Sequence, residues 1–230
     1  GLRRGLYYRD DDYRFSYLAG DPANEAFLRG LASLLDSELL PQARGSHDPS
    51  VALYPDSPDW IDALEGRLSA YHPLRLFRSL HRFDRQVFEK HACFLEPLPP
   101  EYTLLPIDAG LCERFSDLAF AYQLLWGGTQ SFLAHGFGYC VLADAELASA
   151  CDTAFCAAGW AEMGVETREP YRRQGLARQV ATAFILESLR RDLEPAWECW
   201  WENAPSQKLA ERLGFHWLED YPVLLIDLAG

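Results

Sequence analysis

Arginine side chains are concentrated in one short stretch of an otherwise acidic chain. Eleven consecutive positions hold Arg168, Arg172, Arg173 and Arg178. Glu169 is the one acidic residue among them, whereas the chain as a whole has a net charge of −13 at pH 7. Because a guanidinium group presents its donors in a rigid fork, such a cluster is suited to binding the oxygen atoms of a phosphate group.

Gly175 lies where a short turn passes into a segment with helical periodicity. Leu176, Val180 and Phe184 fall on one face, so we expect a helix over about 174–191. Glycine lets a backbone approach a ligand closely, and the first N–H groups of a helix have no partner inside it. The stretch therefore predicts an anion site at the positive end of a helix dipole. The plainer alternative is an exposed turn with solvated arginines.

The motifs in this half of the chain resemble those of the GNAT family of acyl-CoA N-acyltransferases. The family signature Arg/Gln-x-x-Gly-x-Gly/Ala, which follows a strand, corresponds to residues 172–177. Residues 197–203 resemble the next core strand of the family, and residues 209–215 resemble its closing helix with a Leu-Gly-Phe exit. The additional N-terminal half is similar to that of the zwittermicin-A-resistance-type branch.

The resemblance implies an α/β fold of the α+β type, in which a mixed, splayed central sheet is flanked by helices. Pro97, Pro99 and Pro100 mark a boundary. We therefore expect an N-terminal α/β half over 1–96 and a GNAT acyl-CoA-binding domain over 101–230. The N-terminal half could stand apart or extend the same sheet.

The spacing of apolar residues predicts the order of the elements. In the N-terminal half we expect strands over 13–18 and 51–54, and helices over 26–41, over 60–68 and from Pro73 to Val87. In the C-terminal half we expect helices over 111–125 and from Pro205, a hairpin over 136–157, and strands over 102–105, 161–167, 197–201 and 223–228.

In this family the acyl-CoA donor lies between two parallel strands that splay apart. By position, these strands would be residues 161–167 and 197–201. The resemblance implies that backbone groups near Val165 and Thr167 bind the thioester and the pantetheine arm. It also implies that N–H groups of residues 173–177 hold the pyrophosphate, to which Arg172 or Arg173 adds positive charge. The implied donor-binding residues are Val165, Thr167, Arg172, Arg173, Gln174, Gly175, Leu176, Ala177 and Asn203.

Acyl transfer to an amine requires the amine to lose a proton before it attacks the thioester carbonyl. Glu162 and Glu166 are four residues apart on an expected strand and share one face, so either could act as the general base, directly or through water. Glu198 and Glu202 repeat this spacing on the next expected strand. For each glutamate the alternative is an exposed carboxylate or a salt-bridge partner of a nearby arginine.

The proton for the leaving thiolate has no obvious donor. Many family members carry a tyrosine for this role in the closing helix, and the corresponding position here is Ala210. Ser206, Cys199, Tyr171 or water would have to replace it. This departure favours an alternative in which the chain binds acyl-CoA without turnover.

Composition limits the other functions. The six cysteines form no Cys-x-x-Cys pair and the six histidines are dispersed, which disfavours a metal site. The acidic charge disfavours nucleic acid as a partner. No apolar run is long enough to cross a membrane and no signal-peptide pattern opens the chain, so we expect a cytoplasmic protein.

Together these features predict an enzyme that moves an acetyl group from acetyl-CoA to a primary amine, on a small molecule. The expected partners are acyl-CoA and this amine, and a homodimer is left open. Two alternatives also remain open: an acyl-CoA-binding sensor with little or no activity, and a transferase that uses another acyl donor.

Overall fold

The structure, a computed structural model, describes residues 5–9, 15–45 and 49–228. The chain divides into two compact units. The first comprises Gly1–Ser79 with Asp220–Gly230, and the second comprises Leu80–Glu219. The proline-rich stretch 97–100 lies within the second unit.

The first unit combines a small sheet with helices. In chain order its elements are β1 (Gly5–Arg9), β2 (Phe15–Gly20), α1 (Glu25–Leu34), a π turn (Leu35–Leu39), α2 (Leu40–Arg44), β3 (Ser50–Pro55), α3 (Asp59–Arg67), a 3₁₀ turn (Ser69–Tyr71) and the start of β4 (Leu74–Phe83). β1 pairs with β2 antiparallel, and β2 pairs with β3 parallel. Leucine side chains from α1, α2 and β3 surround the fully buried Trp60, whose indole N–H donates to Asp56 at 2.8 Å.

The helix expected from Pro73 to Val87 is wrong over residues 74–83, which form strand β4. The buried positions of this strand alternate, as a half-buried strand requires, but Ser79 and His81 occupy them. The Ser79 hydroxyl donates to Asp220 at 2.6 Å. Because polar residues occupy the inward face of β4, the apolar residues do not mark that face, and their spacing resembles that of a helix. A helix begins only after Asp84, whose carboxylate caps it.

The second unit carries most of the expected elements. After β4 come α4 (Arg85–His91), β5 (Tyr102–Pro106), α5 (Ala109–Arg114), α6 (Ser116–Trp126), α7 (Thr129–His135), β6 (Gly138–Ala143), β7 (Glu146–Ala157), β8 (Trp160–Thr167), a 3₁₀ turn (Glu169–Tyr171), α8 (Leu176–Arg190), β9 (Glu194–Trp200), α9 (Ala204–Arg212) and β10 (Phe215–Asp227). The single helix expected over 111–125 is instead two helices, α5 and α6, because the backbone of Phe115 is extended between them. The residues of β10 from Asp220 onward belong to the first unit, where they pair with β3 antiparallel.

In the second unit the sheet is mixed. β5, β6, β7 and β8 pair antiparallel in chain order, and β8 then pairs parallel with β9. Helix α8 lies against these strands and buries Val180, Phe184 and Ile185 completely. The Phe184 ring stacks on that of Phe137 with 4.6 Å between centroids. No helix of the described residues is long and apolar enough to cross a membrane.

Three strands approach one another closely at Asp152, in the middle of β7. Gly138 of β6 and Gly164 of β8 are its register partners on either side. A Cβ atom on Gly138 would lie 2.7 Å from the Cβ atom of Asp152 and 2.9 Å from Cδ1 of Ile107. Contacts this short do not occur in folded proteins, so position 138 requires glycine. A larger residue there would displace the side chain of Asp152.

Gly138→Ala is therefore expected to lower the free energy of unfolding by about 1–3 kcal/mol, because the added methyl group overpacks the sheet. Urea denaturation checks this. Gly110→Ala in α5 is the matched control, since a Cβ atom there meets nothing closer than 3.5 Å. A Gly138→Ala protein as stable as the control would contradict the close approach.

Candidate functional site

Strands β8 and β9 separate after a short parallel pairing. Their register runs from Trp160 opposite Glu194 to Glu162 opposite Ala196, and both strands continue beyond it without pairing to each other. The backbone of residues 163–167 is paired with β7 along one edge, and its other edge, on the side of β9, is left unpaired by β9. Such an edge can pair with an extended ligand in place of a strand.

The first turn of α8 begins beside this edge, in a loop with unusual backbone angles. Arg173 has φ of 62° and Gly175 has φ of 81°, which places both in the left-handed region. Within the described chain, no acceptor receives a hydrogen bond from the backbone N–H groups of residues 173–177. These donors lie at the positive end of a helix of 15 residues. A phosphate group would satisfy them.

The four arginines of this stretch differ in their partners. Arg168 pairs with Asp117 of α6, and Arg178 pairs with Glu96. Arg172 donates from Nε to the carbonyl oxygen of Thr167 at 3.1 Å, which leaves its terminal nitrogen atoms available. Arg173 is exposed, and it makes no hydrogen bond or ion pair with the described residues.

The side chain of Gln174 closes one side of the loop. Its Oε1 atom accepts a hydrogen bond from the Tyr102 hydroxyl at 2.6 Å, and its Nε2 atom donates to the carbonyl oxygen of Pro170 at 3.3 Å. Leu176 is buried beneath the loop. Gly175 has open space where a Cβ atom would stand. The loop is thus anchored to the core by Leu176 and has open space at Gly175.

A cleft of about 330 Å³ lies beside β7 and β8. Apolar residues of α6, β7 and β8 form much of its wall. Its polar lining consists of Asp117, Ser149, Asp152, Glu166 and Arg168. Because Arg168 is paired with Asp117, the carboxylates of Asp152 and Glu166 have no cation beside them within this lining. The cleft is therefore suited to a small ligand with a positive charge.

Asp152 lies at the floor of the cleft and is half-buried. Its Oδ2 atom accepts a hydrogen bond from the Tyr122 hydroxyl at 2.8 Å. Burial raises the pKa of the Asp152 carboxyl to about 6, and the nearby charge of Glu166 adds to this, while the Tyr122 hydrogen bond acts in the opposite direction. Burial and the charge of Asp152 raise the pKa of Tyr122, so its phenol stays protonated and donates.

The residues expected to act as general base take different positions. Glu166 is exposed and lines the cleft, together with Val165. Glu162 is half-buried at the last paired position of β8, and neither it nor Glu198 or Glu202 is among the cleft-lining residues. Glu162 and Glu166 thus share a strand face, but only the second borders this cleft.

Two predicted residues lie at the start of α9: Ser206, a candidate proton donor for the thiolate, and Asn203, an implied donor-binding residue. Asn203 caps this helix, and its Oδ1 atom accepts from the backbone N–H of Ser206 at 3.2 Å. The Ser206 hydroxyl in turn accepts from the indole N–H of Trp197 at 3.2 Å. Ala210 is fully buried and Cys199 is largely buried. Thr167, on the β8 side, shares a hydrogen bond of 2.8 Å with the Ser149 hydroxyl.

Asp152 and Tyr122 were not among the residues predicted from the sequence. Asp152 interrupts the strand sequence Ala-Ser-Ala-Cys-Asp-Thr-Ala with a single acidic residue, and that was the available signal. A lone carboxylate in a strand that is otherwise uncharged is costly to bury, so it indicates a partner or a function. Tyr122 lies in an apolar helix and gave no signal of its own.

The comparisons with known proteins agree on one family. A sequence model of the GNAT acetyltransferase family matches residues 6–224. The chain is 28% identical over 225 residues to the uncharacterized N-acetyltransferase YdfB of Bacillus subtilis (strain 168), covering 97% of this chain and 78% of YdfB.

Solved structures agree in fold. A GCN5-related N-acetyltransferase-like protein from Streptococcus suis 89/1591 superposes with a TM-score of 0.68 at 24% identity, over 97% of this chain and 88% of that one. A GCN5-related N-acetyltransferase from Kribbella flavida gives a TM-score of 0.56 at 15% identity, over 99% and 90% of the two chains.

The raised pKa of Asp152 has a consequence for stability. The pKa of Asp152 is about 6 in the folded protein, against an ordinary value of 3.8. Ionisation of Asp152 therefore lowers the free energy of unfolding, fully above about pH 6, and this loss of stability disappears as the pH falls toward 3.8. Asp152→Asn is expected to raise the free energy of unfolding at about pH 8 by about 1–3 kcal/mol, with the gain shrinking below about pH 6. Urea denaturation at several pH values measures it.

Asp144→Asn, in the exposed turn between β6 and β7, is the control and should change stability by less than about 0.5 kcal/mol. A stability gain in Asp152→Asn that stayed constant down to low pH would contradict the raised pKa of Asp152.

Proposed function

The chain belongs to the GNAT acetyltransferase family, and on this premise we propose that it transfers an acetyl group from acetyl-CoA to a primary amine of a small molecule. The observation that carries the proposal is the start of α8, where unpaired N–H groups of residues 173–177 meet the open edge of β8. A phosphate-bearing, extended donor needs both features together.

Three features support acetyl-CoA as the donor. The free N–H groups and the available guanidinium of Arg173 suit a pyrophosphate. Gly175 leaves room above the loop, since no atom lies within 4 Å of the place where a Cβ atom would stand. The backbone at Val165, beyond the pairing with β9, suits the amide groups of the pantetheine arm, which would pair as a strand does. At Thr167 the carbonyl oxygen already accepts a hydrogen bond from Nε of Arg172.

The acidic cleft supports an amine acceptor. Its volume of about 330 Å³ is at the small end of the range for small-molecule sites, and its two uncompensated carboxylates would attract an ammonium group. Gly164, Val165 and Glu166 line the cleft and also belong to the segment of β8 that β9 leaves unpaired, so the acceptor nitrogen and the thioester would meet at this segment.

The transfer requires one cleft carboxylate to accept a proton from the ammonium group, which then becomes a nucleophilic amine. The amine attacks the thioester carbonyl, the oxyanion is stabilised by a backbone N–H group of β8, and the thiolate leaves. Glu166 is the sequence-predicted base that borders the cleft. Ser206, in the first turn of α9, is the predicted hydroxyl that would protonate the thiolate, which can also leave without full protonation.

One observation favours a second function, namely acyl-CoA binding without turnover. Ala210 stands where many relatives carry the tyrosine that protonates the thiolate, and its side chain is fully buried in the core of the unit. A hydroxyl cannot be supplied from that position. In this alternative the protein would bind the same donor and act as a sensor or partner.

Isothermal titration calorimetry of the intact protein with acetyl-CoA tests the donor site. We expect micromolar binding, and Gly175→Asp is expected to weaken it by at least about 100-fold, because a carboxylate would stand among the N–H donors. The measurement is repeated with CoA to separate the contribution of the acetyl group.

Gly159→Asp is the matched control, because Gly159 also has positive φ (87°) and no atom near its Cβ position, but it lies in the turn before β8. It should bind acetyl-CoA as the wild type does. Absence of binding by the folded wild-type protein, or equal loss in both variants, would overturn the donor site as proposed.

A further inference from the structure

We propose that Asp152, rather than Glu162 or Glu166, is the carboxylate that takes the proton from the acceptor amine, with Tyr122 as its positioning residue. The inference rests on the proposed function, because it names the proton acceptor of the same site. It adds a catalytic residue that the family motifs do not include.

The surroundings of Asp152 leave one of its oxygen atoms open to the cleft. Gly138 and Gly164 flank it on the neighbouring strands, so no side chain covers the carboxylate from either side. The nearest atom to a Cβ built on Gly164 is Oδ1 of Asp152, at 3.4 Å. Oδ1 receives no hydrogen bond from the described residues. An ammonium group in the cleft would supply one.

Tyr122 holds the other oxygen atom. Its hydroxyl donates to Oδ2 of Asp152 at 2.8 Å, and its ring is fully buried. The ring stacks on Phe132 with 3.7 Å between centroids and an interplanar angle of 6°, which fixes its orientation. A carboxylate held at one oxygen by a rigid donor presents its second oxygen in a defined direction, as proton transfer requires.

The other titratable groups around Asp152 lie on β8, on helices α5 and α6, and directly after β8. Glu166 faces it from β8, and its charge raises the pKa of Asp152. Cys112 of α5 faces it as a thiol whose own pKa is raised to about 11, first by burial, so it stays neutral. Arg168 and Asp117 are paired with each other at the cleft wall. A base with a pKa near 6 is charged at neutral pH and still able to take a proton in the transition state.

The ammonium R–NH₃⁺ gives one proton to Oδ1 of Asp152 and becomes R–NH₂, whose lone pair forms the C–N bond at the thioester carbonyl. The C–S bond breaks and its electron pair leaves with the thiolate. The remaining excess proton on nitrogen passes to the thiolate, and Asp152 returns its proton to water. The products are R–NH–CO–CH₃, free CoA and one proton.

The test uses thiol release from acetyl-CoA by the full chain, with ethanolamine, tyramine, putrescine and spermidine as probe amines. For any amine that turns over, log(kcat/KM) is measured from about pH 5 to about pH 9. The wild type should lose activity below an inflection near 6. Asp152→Asn should lose at least about 100-fold in kcat/KM and show no inflection there.

Two further variants separate a proton acceptor from a structural role. Tyr122→Phe keeps the stacked ring and removes the donor that lowers the pKa of Asp152, so the inflection should move to higher pH. Glu166→Gln removes the charge that raises this pKa, so the inflection should move to lower pH. Glu211→Gln on the exposed side of α9 is the control and should match the wild type. Calorimetry with acetyl-CoA verifies that each variant keeps the donor site.

Carboxyl NMR of protein labelled with ¹³C-aspartate gives a readout that needs no turnover. The signal absent from Asp152→Asn should titrate near 6 and move to lower pH when a probe amine is added. Titration near the ordinary value of 3.8, or full activity in Asp152→Asn, would overturn the inference alone. If acetyl-CoA binds and none of the amines turns over, the proposed function fails and the inference fails with it.

Discussion

The burial of α8 against the sheet of the second unit is the contact on which the rest of the site depends. Val180, Phe184 and Ile185 have no exposed surface, and their packing on the strands fixes the axis of the helix. Its first turn then has to begin where β8 has already parted from β9. The unpaired N–H groups are therefore held by the core and not by the loop itself, so that little order has to be acquired when an anion binds.

The sequence was informative wherever apolar residues face the core, and less so elsewhere. Leu176, Val180 and Phe184 located α8, and its buried positions agree with the expected face. The family and its fold followed from motifs around that helix. Strand β4 was missed because Ser79 and His81 take the buried positions, so hydrophobic spacing pointed to a helix. Periodicity reports burial only when the buried residues are apolar.

Charge patterns in the sequence also gave an incomplete picture of the site. Four arginines close together suggested one cationic cluster, but Asp117 and Glu96 engage two of them. These partners are far away in sequence, and nothing in the local pattern reveals them. The same holds for Asp152 and Tyr122, which meet only because α6 lies beside β7. Local motifs predicted the donor side, which is built from consecutive residues, whereas the acceptor side is assembled from residues distant in sequence.

The first unit is discontinuous along the chain, and this affects how the protein can be made. Leu53 and Val51 of β3 pair with Leu224 and Ile226 of β10, and the whole second unit is translated between them. During synthesis the edge of β3 that pairs with β10 stays unpaired until β10 has left the ribosome. Contacts that close so late form slowly and expose a strand edge in the meantime. Nascent chains stalled before β10 would therefore be the form of this protein that most needs a chaperone.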